Sequence, residues 1–130
     1  MDPSLKSRFV VLYSMVLADG IVEAAELETL HRIGKECYGL TPEEIASFCV
    51  GATPLILPEQ IEEKIDFLYQ LAQIAVCDGR VDDSERKLLE RYALKMSFVS
   101  ENIPQIIEFL LEKAENDIPS KQVISEILNS

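Results

Sequence analysis

Six carboxylates sit at matched places in a phrase that the chain contains twice. Asp19, Glu23 and Glu26 belong to Ala18-Asp19-Gly20-Ile21-Val22-Glu23-Ala24-Ala25-Glu26. Asp78, Asp82 and Glu85 belong to Cys77-Asp78-Gly79-Arg80-Val81-Asp82-Asp83-Ser84-Glu85, 59 positions later. Clustered carboxylate oxygens are the ligands of hard divalent cations. With Gly20 or Gly79 at position 6 of a calcium loop, Asp19 and Asp78 fall at position 5. Glu23 and Asp82 then fall at 9, and Glu26 and Glu85 at 12, where a bidentate glutamate belongs. The first half of that loop fails. Position 1 is Met15 or Ile74 and position 3 is Leu17 or Val76, all apolar. An EF-hand of ordinary affinity is excluded, and a weak or shared site for Ca, Mg or Zn is left. The same acids have a purely structural use. Asp before Gly is turn chemistry. An acid at a helix start gains about 0.3–1 kcal/mol from the dipole, and Asp82 with Glu85 can form a capping box. Spacing alone leaves both uses open.

These turns must be held by helices. Leu5, Phe9, Leu12 and Val16 recur at helical spacing, which predicts a first helix over about 4–18 that Gly20 ends. A second follows over about 23–38, with Leu27, Leu30, Ile33 and Cys37 inward. Thr41-Pro42-Glu43-Glu44 has the form of a capping box and opens a short third helix, about 42–50. A breaker-rich linker, about 51–58, separates this half from the next. The plan then repeats. A long helix over about 58–77 carries Ile61, Ile65, Leu68, Leu71 and Ala75, and a fifth spans about 82–96. Ser100 matches Thr41 as a cap candidate before a sixth helix, about 103–115. Ser120 is placed to cap a last helix through Leu128. Strand signals are nearly absent, although Val22 and Val81 are matched extended residues able to pair across the two turns. The expectation is an all-α, compact bundle of about seven helices in a single domain. It has an internal pseudo-two-fold repeat of helix–acidic turn–helix units, over about 4–50 and 59–116, with a C-terminal helix at about 120–129.

A chain of 130 residues, 48% hydrophobic, can bury a real core. Its 12 basic and 23 acidic residues give a formal charge of −11, which opposes binding to DNA, RNA or anionic lipid. Cations, or a basic surface on another protein, are the matching partners. No apolar stretch is long enough to span a membrane. The run from Phe9 to Leu17 holds Ser14 and ends in Asp-Gly, unlike a cleavable leader. Three cysteines, Cys37, Cys49 and Cys77, form no CxxC and fit reduced, buried thiols of a cytoplasmic protein. His31 is the sole histidine and reads as a surface residue. Five of the twelve basic residues fall in sixteen positions: Arg80, Arg86, Lys87, Arg91 and Lys95. Lys87, Arg91 and Lys95 share one helix face. They can pair with Asp82, Asp83 and Glu90, or Arg80, Lys87, Arg91 and Lys95 can meet an acidic partner.

The phrase Asp-Gly-x-Val-acid-x-x-Glu, twice behind an apolar helix, resembles the tellurite-resistance TerB-like family, which includes a domain type of membrane-anchored DnaJ co-chaperones. The residues that carry the resemblance are Leu17 to Glu26 and Val76 to Glu85, and it extends over about 5–116. It implies a compact helical bundle with approximate internal two-fold symmetry, cytoplasmic and linked to stress and metal-oxyanion resistance. Such domains are thought to bind metal or partner proteins, often at the membrane periphery. Arg80 stands where the first phrase has Ile21, and Cys77 where it has Ala18. The expected function is a non-enzymatic interaction module that takes a divalent cation or a basic partner at its acidic turns. The alternatives are a small metal-dependent hydrolase and a structural oligomeric helical protein. Against the hydrolase stand the lack of paired histidines, of a phosphate loop and of nucleophile–base spacing.

Overall fold

The computed structural model describes residues 3–18, 20–51 and 53–129. Seven helices follow one another: α1 (Pro3–Val16), α2 (Ala24–Tyr38), α3 (Pro42–Phe48), α4 (Ile61–Val76), α5 (Asp83–Lys95), α6 (Ile103–Glu115) and α7 (Ser120–Leu128). There is no strand among the described residues, and Val22 and Val81 do not form the short pairing that their matched positions suggested. No helix is long and apolar enough to cross a membrane among the described residues.

The core is built round α4. Phe67, Leu68, Tyr69, Leu71, Ala72, Ile74 and Ala75 are all inaccessible to solvent, so this helix is apolar on nearly every side. Such a helix is stable only when neighbours enclose it, and α1, α2, α5, α6 and α7 all pack against it. From α1 come Phe9, Leu12, Met15 and Val16; from α5 and α6 come Leu89, Ala93, Ile107 and Leu110. Each large side chain so buried contributes about 1.5–3 kcal/mol. In the first half, α1 also packs on α2 and α3, and α2 on α3; in the second, α4 packs on α5 and α6, and α5 on α6. Gly34 permits the close approach of α3 to α2. A Cβ there would lie 2.5 Å from Ile45 Cδ1 and 3.4 Å from Phe9 Cε1.

Helix ends follow local chemistry where the signal is strong. Thr41 and Glu44 form the expected capping box, with Thr41 Oγ1 accepting from Glu44 N at 3.2 Å and Glu44 Oε1 from Thr41 N at 3.1 Å. Two other caps differ from expectation. Asn102, not Ser100, flanks α6, because Pro104 takes the second helical position and sets the start. Ser120 is the first residue inside α7, and its hydroxyl donates to Asp66 Oδ1 at 2.7 Å across the bundle. Two inward expectations also fail. Cys37 is exposed at the end of α2, and Ile61 is 42% exposed at the start of α4. Both lie in terminal turns, and a residue there can face its neighbours' side without any neighbour reaching that far. Cys49 and Cys77 are only half-buried.

Candidate site at the two acidic turns

The second turn is closed by its own backbone. Past α4, Gly79 N donates to Val76 O at 2.9 Å with Gly79 at φ 85, a conformation that glycine adopts without a side-chain clash. Asp78 Oδ1 accepts from Arg80 N at 3.1 Å. Asp82 caps α5, its Oδ2 accepting from Ser84 N at 3.2 Å, and Glu85 Oε1 accepts from Asp82 N at 2.9 Å. The Ser84 hydroxyl and amide hold the Asp82 carboxyl below its ordinary value. Glu85 is 3% exposed, and Val81 is half-buried against the core. Asp78, Asp82 and Glu85 therefore all serve the local fold.

The first turn follows the same path, with Gly20 N donating to Leu17 O at 3.0 Å and Gly20 at φ 82. Its side chains behave differently. Asp19 lies outside the described residues. Glu23 occupies the N-cap position of α2 but makes no side-chain capping bond. Glu26 is buried, at 1% exposure. Leu17, Ile21 and Val22 are 45%, 60% and 49% exposed.

The two phrases meet at Cys77. Burial pushes its thiol up, and the charges of Glu26, Asp78 and Glu85 act in the same direction, against a hydrogen bond with Thr29. Glu26 at the start of α2 thus lies within electrostatic reach of the second turn. Partial burial of the sulfur is also the largest cause that raises the thiols of half-buried Cys49 and of Cys37, although Cys37 as a whole residue is exposed. All three shifts run opposite to that of an activated thiolate. Among the described residues no three His, Cys, Asp or Glu side chains are grouped to hold a metal ion. Asp78, Asp82 and Glu85 each take one backbone amide, and Glu26 is enclosed in the fold.

The basic residues sort into two sets. Arg86 pairs with Glu108 on α6, not with Asp82, Asp83 or Glu90. Lys87, Arg91 and Lys95 are exposed together on the outer face of α5 beside Leu94, which is 55% exposed, and Arg80 is exposed in the turn. His31 is half-buried on α2. The exposed apolar trio of the first turn was not singled out as a site from sequence. Its one available signal was Ile21 standing where the second phrase has Arg80. Compared with protein-family models, with curated proteins and with solved structures, the chain gives no significant match.

Proposed function

We propose that this chain is a non-enzymatic interaction module of the TerB type, acting in a cytoplasmic stress response, and that its first acidic turn docks a basic segment of a partner protein. One observation carries the reading. Leu17, Ile21 and Val22 are exposed together in a short turn, on a molecule whose formal charge is −11. An apolar contact with an acidic surround suits a segment that alternates apolar and basic residues. At the matched positions of the second turn Val76 is buried, Val81 is half-buried and Arg80 is basic, so the docking edge is the first turn alone. The repeated phrase and the all-helical fold support the TerB type, and the duplicated two-fold plan is part of that reading.

The test is an amide-shift titration of the isotope-labelled protein with a Leu/Lys amphipathic peptide, and separately with Ca, Mg and Zn. The expected result is saturable shifts from the peptide at Gly20, Ile21 and Val22. The double substitution Ile21→Ser, Val22→Ser should remove them and leave the rest of the spectrum in place. Shifts spread evenly over the acidic surface would overturn the docking edge. Saturable metal shifts confined to Gly20 and Gly79 would replace partner docking with a cation site.

A further inference from the structure

A second feature lies at the start of the bundle. A cleft of about 390 Å³ opens between the beginning of α1, the beginning of α4 and the chain that links α3 to α4. That volume lies within the usual range of small-molecule sites, about 300–1,000 Å³. One wall is fixed by Ser7, whose hydroxyl donates to Ile56 O at 3.2 Å and accepts from Ile56 N at 2.8 Å. Leu5 and Leu57 line the cleft with hydrocarbon. Arg8, Tyr38, Glu63 and Asp66 line it with polar groups.

Arg8 is the key group. Its side chain is 14% exposed, and its guanidinium lies 4.8 Å from the centre of the Phe67 ring. Among the described residues only its Nη1 is hydrogen-bonded, donating to Tyr38 Oη at 2.6 Å and to Asp66 Oδ2 at 3.4 Å. A guanidinium has five N–H donors. Those on Nε and Nη2 have no hydrogen-bond acceptor among the described residues. Tyr38 Oη also accepts from Gln70 Nε2 at 3.1 Å, which leaves the phenol proton to donate elsewhere. The cleft thus holds spare donors around a largely desolvated positive charge. It also holds negative charge: Asp66, whose oxygens take Arg8 and Ser120, and exposed Glu63 in the first turn of α4.

A simple anion in this cleft would be repelled by Glu63 and Asp66, and a simple cation would leave the spare donors of Arg8 unused. A molecule that carries both charges next to a hydrocarbon tail meets neither penalty. We infer that the cleft binds a free aliphatic α-amino acid. Its carboxylate lies on Arg8 and Tyr38, its ammonium on Glu63 and Asp66, and its side chain against Leu5 and Leu57. Charge-assisted bonds to a buried guanidinium are the strong ones and fix the orientation.

Titration of the labelled full chain with L-leucine, 4-methylpentanoate and 3-methylbutylamine tests this. Leucine should give saturable shifts at Leu5, Ile56 and Leu57, and each one-charge analogue should bind at least about tenfold more weakly. Glu63→Gln should weaken leucine several-fold without weakening 4-methylpentanoate, since it removes only an ammonium partner. Arg8→Gln should abolish leucine binding. Because Arg8 also ties α1 to α4, Leu57→Asp provides a second variant that leaves this tie untouched and should also abolish binding. The inference is overturned by any of three results: no saturation with leucine, either one-charge analogue binding as tightly as leucine, or wild-type leucine binding in Glu63→Gln and Leu57→Asp.

Discussion

In the second acidic turn Asp78, Asp82 and Glu85 each accept from a backbone amide. In the first, Glu23 makes no capping bond and three apolar side chains face solvent. One sequence phrase thus closes both turns, but it caps the next helix in one place and leaves apolar side chains exposed in the other. The difference comes from few residues. Val81 tucks against the core where Val22 is exposed, and Asp82, whose short side chain suits a cap, stands where the first phrase has the longer Glu23. A carboxylate that accepts its own backbone amide has a use in the fold that calls for no ligand. A matched phrase is therefore evidence of matched backbone more than of matched function.

The largest effects test whether the core beneath the two turns is equally tight. Leu30 and Leu89 are each 1% exposed at matched places on α2 and α5. Leu30→Ala and Leu89→Ala should each cost about 2–5 kcal/mol by chemical denaturation. A much smaller cost at Leu30 would mean that the first turn rests on looser packing. Next comes the apolar residue before the cap. Val81→Ser should cost about 1 kcal/mol, because half of a valine's burial is lost. Ile21→Ser should stay within about 0.5 kcal/mol, as exposed positions do. Equal costs would erase the contrast between the turns.

Smaller effects separate the caps. Asp82→Ala should lower the melting temperature measurably, while Glu23→Ala leaves it in place. The smallest effect is a pH dependence. Hydrogen bonds from Ser84 hold the Asp82 carboxyl below its ordinary value of 3.8. A depressed carboxylate stabilises the fold above the unfolded-state value and loses that contribution as pH falls through the folded one. The melting-temperature difference between wild type and Asp82→Asn should therefore be constant near neutrality and shrink below about pH 4. A difference that persists at lower pH would show that Asp82 acts through something other than its charge.

The helices were legible because their stops are local. Glycines, prolines and the Thr41–Glu44 and Asp82–Glu85 pairs each act within a few residues. The start of α6 follows from such a signal, Pro104 in its first turn. What could not be read was the use of polar side chains across the bundle. Arg8 meets Tyr38 and Asp66, 30 and 58 positions away, and Ser120 meets Asp66, 54 positions away. No periodicity encodes those meetings. Cys37 failed for a related reason: helical spacing gives a direction, not a neighbour. The candidate site was half legible. Its six acids could be named, but a capping glutamate and a ligand glutamate look alike in sequence. The burial of Glu26 and Glu85 depends on helices that pack from elsewhere in the chain.

The central place of α4 also bears on how the protein is made. A chain leaves the ribosome N-terminus first, so Phe9, Leu12, Met15, Leu30 and Ile33 emerge before the helix that covers them exists. At about 5–20 residues per second, the interval between the end of α1 and the end of α4 is roughly 3–12 seconds. During that interval the nascent first half carries a bare apolar face on three short helices. This face is covered once α4 clears the exit tunnel, whereas the other apolar sides of α4 wait for α5, α6 and α7.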